Sequence, residues 1–220
     1  METEVKLAFK DKESLFKCAS AESFRKFHDG SSPCEKLLEN SYIDTEDMTL
    51  IRRGGALRIR HVVGKNSDSY EFTVKCGGGS SEGLHRRYEW NVQSATNDFS
   101  IESFKKACSA LEDPDPVELL EAFFEGINDQ DLKVLCSNSF YRTKYILMTD
   151  RSTVEACFDS GIIKSDNGLR TDEICELELE LLSGDVSDLE MIRNEIVNGN
   201  DCSPFDKTKF RRTLDMIDRG

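Results

Sequence analysis

The sequence has no CxxC pair, although it carries eight cysteines: Cys18, Cys34, Cys76, Cys108, Cys136, Cys157, Cys175 and Cys202 are scattered without paired spacing. That excludes a zinc knuckle or a dithiol redox motif, and reduced thiols are expected. No apolar run approaches the length of a membrane span, and the opening Met-Glu-Thr-Glu-Val-Lys lacks the apolar core of a signal peptide. A cytoplasmic location with no membrane partner is expected. Positive charge is in short supply: 29 Lys and Arg stand against 42 Asp and Glu, a net charge of −13. Nonspecific grip on nucleic acid needs a basic face, so no nucleic-acid partner is expected either. Histidine is scarce. His28, His61 and His85 are dispersed, and His61 and His85 are assigned to the face opposite the charged one described below, so none is read as a ligand. The Gly77-Gly78-Gly79 run lacks the Lys-Ser/Thr and helix start of a P-loop and reads as a flexible connection.

What is present suffices for a folded body. Hydrophobic residues make up 38% of 220 residues, enough for one domain spanning 1–220 with a sizeable core. Polar and apolar residues alternate over 2–10, twice within 35–64, over 70–76, 84–92, 139–149, around 153–158 and over 173–182, the pattern of half-buried strands. Strands so close in sequence pair antiparallel. Helical spacing appears over 12–28, twice within an insert at about 100–131, and near the end, where Leu189, Ile192 and Ile196 share one face and Phe210, Leu214 and Ile217 another.

Residues two apart on a strand share a face. On that rule Glu2, Glu4 and Lys6 stand together, as do Arg58 and Arg60, Thr73 and Lys75, Arg87 and Glu89, Arg142 and Lys144, and Glu176, Glu178 and Glu180. The opposite face is apolar each time: Val5 and Leu7, Leu57 and Ile59, Phe72 and Val74, Tyr88 and Trp90, Leu177 and Leu179. A sheet with one wet face would alternate in the same way. What speaks against a merely wet face is the recurrence of fully charged residues where Ser, Thr, Asn and Gln would ordinarily be mixed in. If the two acidic strands are neighbours, their carboxylates crowd, and like charges about 4 Å apart repel by about 4 kcal/mol at an effective dielectric near 20. Such a cluster needs cations or protons. Hard carboxylate oxygens suit Mg²⁺ or Mn²⁺, while Arg and Lys on the same face suit phosphate oxygens.

These residues fall into a known pattern. Glu2-Thr3-Glu4-Val5-Lys6 matches an ExExK signature; Tyr42-Ile43-Asp44-Thr45 with Leu50 and Leu57-Arg58-Ile59-Arg60 matches a YxDT…L…LRIR segment. Thr73-Val74-Lys75, Arg87-Tyr88-Glu89-Trp90, Arg142-Thr143-Lys144, an Asp-x-Gly turn at Phe158-Asp159-Ser160-Gly161, and an acidic strand from Cys175 to Leu181 follow in order. The chain thus resembles the CYTH, or triphosphate tunnel metalloenzyme, superfamily over nearly its whole length. Leu182-Ser183-Gly184-Asp185, with Lys209 and Arg212, is similar to bacterial inorganic triphosphatases, and a stand-alone form without a CHAD domain is expected.

The resemblance implies an α+β fold, mainly antiparallel β: an eight-stranded β-barrel, or tunnel, with a charged interior and flanking helices. It implies metal-dependent hydrolysis of inorganic triphosphate to pyrophosphate and phosphate. Thiamine triphosphatase, class IV-type adenylate cyclase and a non-catalytic phosphate-binding tunnel are the alternatives. Glu2, Glu4, Asp159, Glu176, Glu178 and Glu180 are the implied metal candidates, with Mg²⁺ or Mn²⁺ as cofactor. Lys6, Arg58, Arg60, Lys75, Arg87, Arg142 and Lys144 are the implied phosphate ligands, and Lys209 and Arg212 the closure of one end. Glu178 is the implied water-orienting carboxylate. The partner is a small triphosphate, and monomer and homodimer stay equally open.

Overall fold

Every alternating segment forms a strand. The computed structural model describes residues 1–64, 68–111, 115–164 and 169–217. The strands are β1 (Glu2–Phe9), β2 (Cys34–Thr45), β3 (Gly55–Val63), β4 (Ser69–Ser81), β5 (Leu84–Ser94), β6 (Leu132–Met148), β7 (Thr153–Lys164), β8 (Thr171–Ser183) and a short β9 (Cys202–Pro204). Their order is β5-β4-β3-β2-β6-β7-β8-β1-β9, and a further β5–β1 pairing closes the first eight into an antiparallel barrel. One edge of β1 is shared: Glu2 to Val5 bond to β5, and Leu7 to Phe9 bond to β9. Closure leaves the barrel strands without the unpaired edges that invite aggregation.

The apolar parity faces outward and is covered twice. Around β1, β7 and β8, Val5, Leu7, Phe158, Leu177 and Leu179 pack against helices α1 (Lys12–Cys18), α2 (Glu22–Arg25) and α6 (Val186–Gly199), whose Leu15, Phe24, Leu189, Ile192 and Ile196 are buried. Around β3 to β5, Leu57, Phe72, Val74 and Trp90 pack against α4 (Ile101–Ser109) and α5 (Val117–Phe124) through Phe104, Cys108, Leu120 and Phe124. Each fully buried Leu or Phe contributes about 1.5–3 kcal/mol. The insert is therefore the cover of one outer wall, and Asp115 pins it there by accepting a hydrogen bond from Glu89 N at 2.8 Å.

A third cluster differs in place. Leu38, Phe140, Ile163 and Ile174, joined by Val62 and Met216, have the inward parity and fill one end of the barrel interior. Helix α7 (Lys209–Leu214) leads into Met216 over that end. Between β2 and β3, the one-turn α3 (Thr49–Arg52) is held by Asp44, whose carboxylate accepts from Thr45 N at 2.7 Å, Leu50 N at 2.8 Å and Ile51 N at 3.0 Å. The aspartate of Tyr-Ile-Asp-Thr thus organises a turn.

Several expectations need correction. The helix expected over 12–28 is two short helices, α1 and α2. The supposed loop at 77–81 continues β4: Gly77 and Gly78 take positive φ of 67° and 73° and form a bulge before Gly79 rejoins β5. A Cβ on Gly78 would lie 1.7 Å from Arg86 O, so glycine is required by contact as well as by φ. Asp159-Ser160-Gly161 is no turn but the middle of β7; a Cβ on Gly161 would meet Phe140 Cβ at 2.6 Å and Ser139 O at 2.8 Å, so glycine here allows the close approach of β6. Ile217 lies beyond α7. None of the eight cysteines is in a disulfide, and no helix of the described residues is long and apolar enough to cross a membrane.

Candidate functional site

The inward faces of the strands line one cavity of about 330 Å³. Of the residues singled out in the sequence, Glu2, Glu4, Lys6, Arg58, Arg60, Lys75, Arg87, Arg142, Lys144, Glu178, Glu180 and Lys209 all face it. β1 and β8 are indeed neighbours, with Glu4 opposite Glu180 and Lys6 opposite Glu178.

At the acidic side, Lys75 Nζ lies 2.8 Å from Glu2 and 2.6 Å from Glu89, and Arg87 Nη2 donates to Glu4 at 2.6 Å. Burial first, then the nearby Glu4 and Glu89, push Glu2 up to about 9 in spite of Lys75. Glu180 rises to about 7, by burial first and then by Glu89, Glu155 and Glu4. Among the described residues no Lys or Arg pairs directly with the Glu180 carboxylate.

At the basic side, Arg58 Nη2 donates to Glu71 at 3.0 Å and to Thr73 at 2.9 Å. Arg60 Nε donates to Asn40 at 2.9 Å, and its Nη1 lies a long 3.4 Å from Glu71. Burial, Arg58 and Arg142 together push Arg60 down to about 10. Arg58 Nε and Arg87 Nε are buried with no acceptor among the described residues. Orphaned guanidinium donors are costly unless an anion meets them. Lys144 pairs with Glu155 at 2.8 Å.

Beneath the cavity lies a compact ionic layer. Lys209 Nζ is 2.7 Å from each of Asp159, Glu176 and Glu178. Arg142 is bidentate on Asp159 at 2.7 and 2.6 Å and also reaches Glu178. Arg212 pairs with Glu176 and, at 2.7 Å, with Asp172. Asp159 and Glu176 are 0% and 1% exposed and, with Arg212, do not border the cavity. The six acidic candidates therefore divide: Glu2, Glu4 and Glu180 line the cavity, Glu2 with Lys75, Glu4 with Arg87 and Glu180 with no direct cation partner among the described residues, whereas Asp159 and Glu176 are enclosed by Lys209, Arg142 and Arg212. Glu178 borders the cavity, but Lys6, Lys209 and Arg142 surround its oxygens and, against burial, hold it well below the usual carboxylate range.

Among the described residues no three His, Cys, Asp or Glu side chains already form a metal cage. The donor chemistry still fits a hard divalent cation, because the buried Glu4 and the half-buried Glu2, Glu89 and Glu180 stand close together with only Lys75 and Arg87 pairing directly with them, at 2.8 Å or closer, among the described residues.

The structure also adds residues. Glu71 and Glu155 line the cavity at parities shared with Thr73 and Asp159, a signal that was present in the alternation. Asn40, Tyr42, Phe140 and Phe210 line it too; the rings of Tyr42 and Phe210 stack at 4.6 Å. His85 needs correction: it shares the parity of Arg87, is 2% exposed, and places Nε2 3.3 Å from Phe205 O, and burial followed by Lys6 lowers its proton affinity.

The CYTH domain family pattern matches residues 1–214. An inorganic triphosphatase of Haemophilus influenzae is 31% identical over 153 residues, 69% of this chain and 38% of that protein, so the chain spans about two fifths of this relative's length. A candidate adenylyl cyclase from Hippeastrum, described as having a dominant triphosphatase activity, superposes with a TM-score of 0.65 at 17% identity, over 98% of this chain and 96% of its own. A protein from Pyrococcus horikoshii OT3 superposes with a TM-score of 0.56 at 15% identity, over 96% and 98%. At such identities the two structures speak for the fold alone.

Proposed function

The chain belongs to the CYTH domain family, and from that premise we propose that it hydrolyses inorganic triphosphate to pyrophosphate and phosphate with the help of Mg²⁺ or Mn²⁺. The observation that carries the reading is the pairing of opposites in one cavity: a bank of guanidinium groups with buried unmet donors at Arg58 Nε and Arg87 Nε shares it with crowded carboxylates at Glu2, Glu4, Glu89 and Glu180, of which Glu2 and Glu180 have raised proton affinity. A ligand that is anionic and carries a divalent cation satisfies both banks at once. The likeness to the Haemophilus triphosphatase supports the same reaction class.

Arg58, Arg60, Arg87, Arg142 and Lys144 bind phosphate oxygens, and their forks and ammonium groups oppose the charge that grows on them in the transition state. Bound by Glu2, Glu4 and Glu89, the divalent ion would supply neutralisation of phosphate charge. Glu180 is the carboxylate best suited to orient water and accept its proton, because among the described residues no cation pairs with its oxygens. Glu178, surrounded by Lys6, Lys209 and Arg142, holds those cations in place instead. Asp159 and Glu176 hold Lys209 and Arg212 under the cavity rather than the ion.

A second reading, an organic triphosphate such as ATP or thiamine triphosphate, is favoured by one feature, the stacked Tyr42 and Phe210 on the cavity wall. The test is phosphate release from inorganic triphosphate, ATP and thiamine triphosphate, with Mg²⁺ or Mn²⁺, for wild type and Glu4→Gln. Preference for inorganic triphosphate that falls at least roughly a hundredfold in the variant is expected, as for loss of a charge-stabilising group in an active site. Turnover of an organic triphosphate alone would move the substrate, and no release from any of the three would leave a binding module.

A further inference from the structure

We propose that Asn40, Asn138 and Thr213 are positioning residues, linked in a one-way hydrogen-bond chain that fixes the guanidinium of Arg60 against the helix carrying Lys209. Arg60 Nε donates to Asn40 Oδ1 at 2.9 Å, Asn40 Nδ2 to Asn138 Oδ1 at 2.9 Å, Asn138 Nδ2 to Thr213 Oγ1 at 2.7 Å, and the Thr213 hydroxyl to Lys209 O at 2.8 Å. Asn40, Asn138 and Thr213 are 2%, 7% and 3% exposed, so water offers no ready substitute.

The direction of the chain is forced. A guanidinium only donates, so Asn40 must turn its oxygen to Arg60 and its NH₂ to Asn138. Asn138 must then accept with its oxygen and donate onward to Thr213. Neither amide can flip alone: reversing Asn138 sets NH₂ against NH₂, and relieving that by reversing Asn40 sets NH₂ against Arg60 Nε. A disturbance at Thr213 is therefore felt at Arg60, three links away.

The placement gives the chain its purpose. Asn40 and Asn138 face each other on the β2–β6 ladder, one step along the inward parity from the apolar pair Leu38 and Phe140. Two amides beside an apolar layer are not what packing alone would select. Arg60 needs such a hold, because Arg58 and Arg142 repel it and its contact with Glu71 is long. The catalytic consequence rests on the triphosphate reading; the chain itself does not.

The experiment uses Thr213→Val, which keeps shape and removes the hydroxyl, with Thr213→Ser as the conservative rescue. Ser152→Ala is the control, since it removes a buried hydroxyl bonded to Asp188, neither residue being part of the cavity lining. Hydrogen exchange of Arg60 Nε–H, followed by ¹H–¹⁵N NMR, is expected to speed up about tenfold in Thr213→Val, the factor that one ordinary net hydrogen bond represents. It is expected to stay at the wild-type rate in Thr213→Ser and Ser152→Ala. KM for inorganic triphosphate is expected to rise with kcat little changed, again in Thr213→Val only. Asn138→Ala repeats the measurement one link closer and decides the matter if Thr213→Val does not fold. Arg60 Nε–H exchange at the wild-type rate when the chain is cut overturns the proposal, and so does faster exchange with KM and kcat both unmoved. A wild type that neither binds nor cleaves inorganic triphosphate while Arg60 still responds to Thr213 upholds the chain and removes the triphosphate reading instead.

Discussion

Lys209 is among the most heavily committed side chains of the described residues. Its ammonium stands 2.7 Å from three carboxylates and is held protonated by Asp159, Glu176 and Glu178 in spite of its burial. Removing one partner of a buried ionic group typically destabilises by about 3–5 kcal/mol, because the remaining charges are left in a low-dielectric place. Lys209→Met is therefore expected to lower the unfolding free energy, measured by urea denaturation, by an amount in that range, and an unchanged unfolding curve would show the layer to be dispensable. His61 makes a smaller, pH-dependent contribution. Its Nδ1 faces Glu39 at 2.8 Å and Nε2 lies 3.1 Å from Asp68, and these carboxylates, against slight burial, raise its proton affinity. A raised folded-state value stabilises fully below the unfolded value near 6.5 and loses that stabilisation as pH rises through the folded value. Wild type should thus exceed His61→Gln in stability at pH 5.5 by more than at pH 9, modestly, since the carboxylates are half exposed. At this scale the charged wall was legible, because Arg, Lys and Glu recurring at period two on strand after strand seldom arise on an ordinary wet face. Asn40, Asn138 and Tyr42 were not, because neutral amides and a tyrosine suit a wet face, a core or a site equally. His85 went wrong through its parity, which matches Arg87 and not Tyr88.

Elements were read well where alternation was long and less well at their ends. β6 and β7 extend well beyond the segments expected, since Val134 and Ile163 lie where charge and apolar residues no longer alternate. The glycines misled most: a Gly-Gly-Gly-Ser-Ser stretch resembles a linker until the bulge and the close approach of Arg86 are seen. Gly161 sits similarly inside β7, with Phe140 pressed against its empty face. Gly161→Ala is expected to destabilise by about 1–3 kcal/mol through overpacking, measured by thermal unfolding. The new methyl would meet the Cβ and backbone of residue 140, which leucine keeps, so adding Phe140→Leu is not expected to recover the loss, and recovery would trace the strain to the phenylalanine ring instead.

The whole molecule is a charged interior wrapped in two separate apolar coats, and the sequence showed the interior and the coats as the two parities of one set of strands. The apolar layer of Leu38, Phe140, Ile163 and Ile174 was not legible, because those residues continue an inward parity that is charged elsewhere. The barrel is closed by β1, which bonds to β5 on one side and to β8, nearly the whole chain away, on the other. Contacts so distant in sequence are slow to form, because the intervening chain must first be ordered. During synthesis the strand bearing Glu2 and Glu4 emerges first and waits, unpaired on that side, until the strand bearing Glu178 and Glu180 has been made. The acidic bank is therefore complete only when β1 and β8 pair, in the same step that closes the barrel.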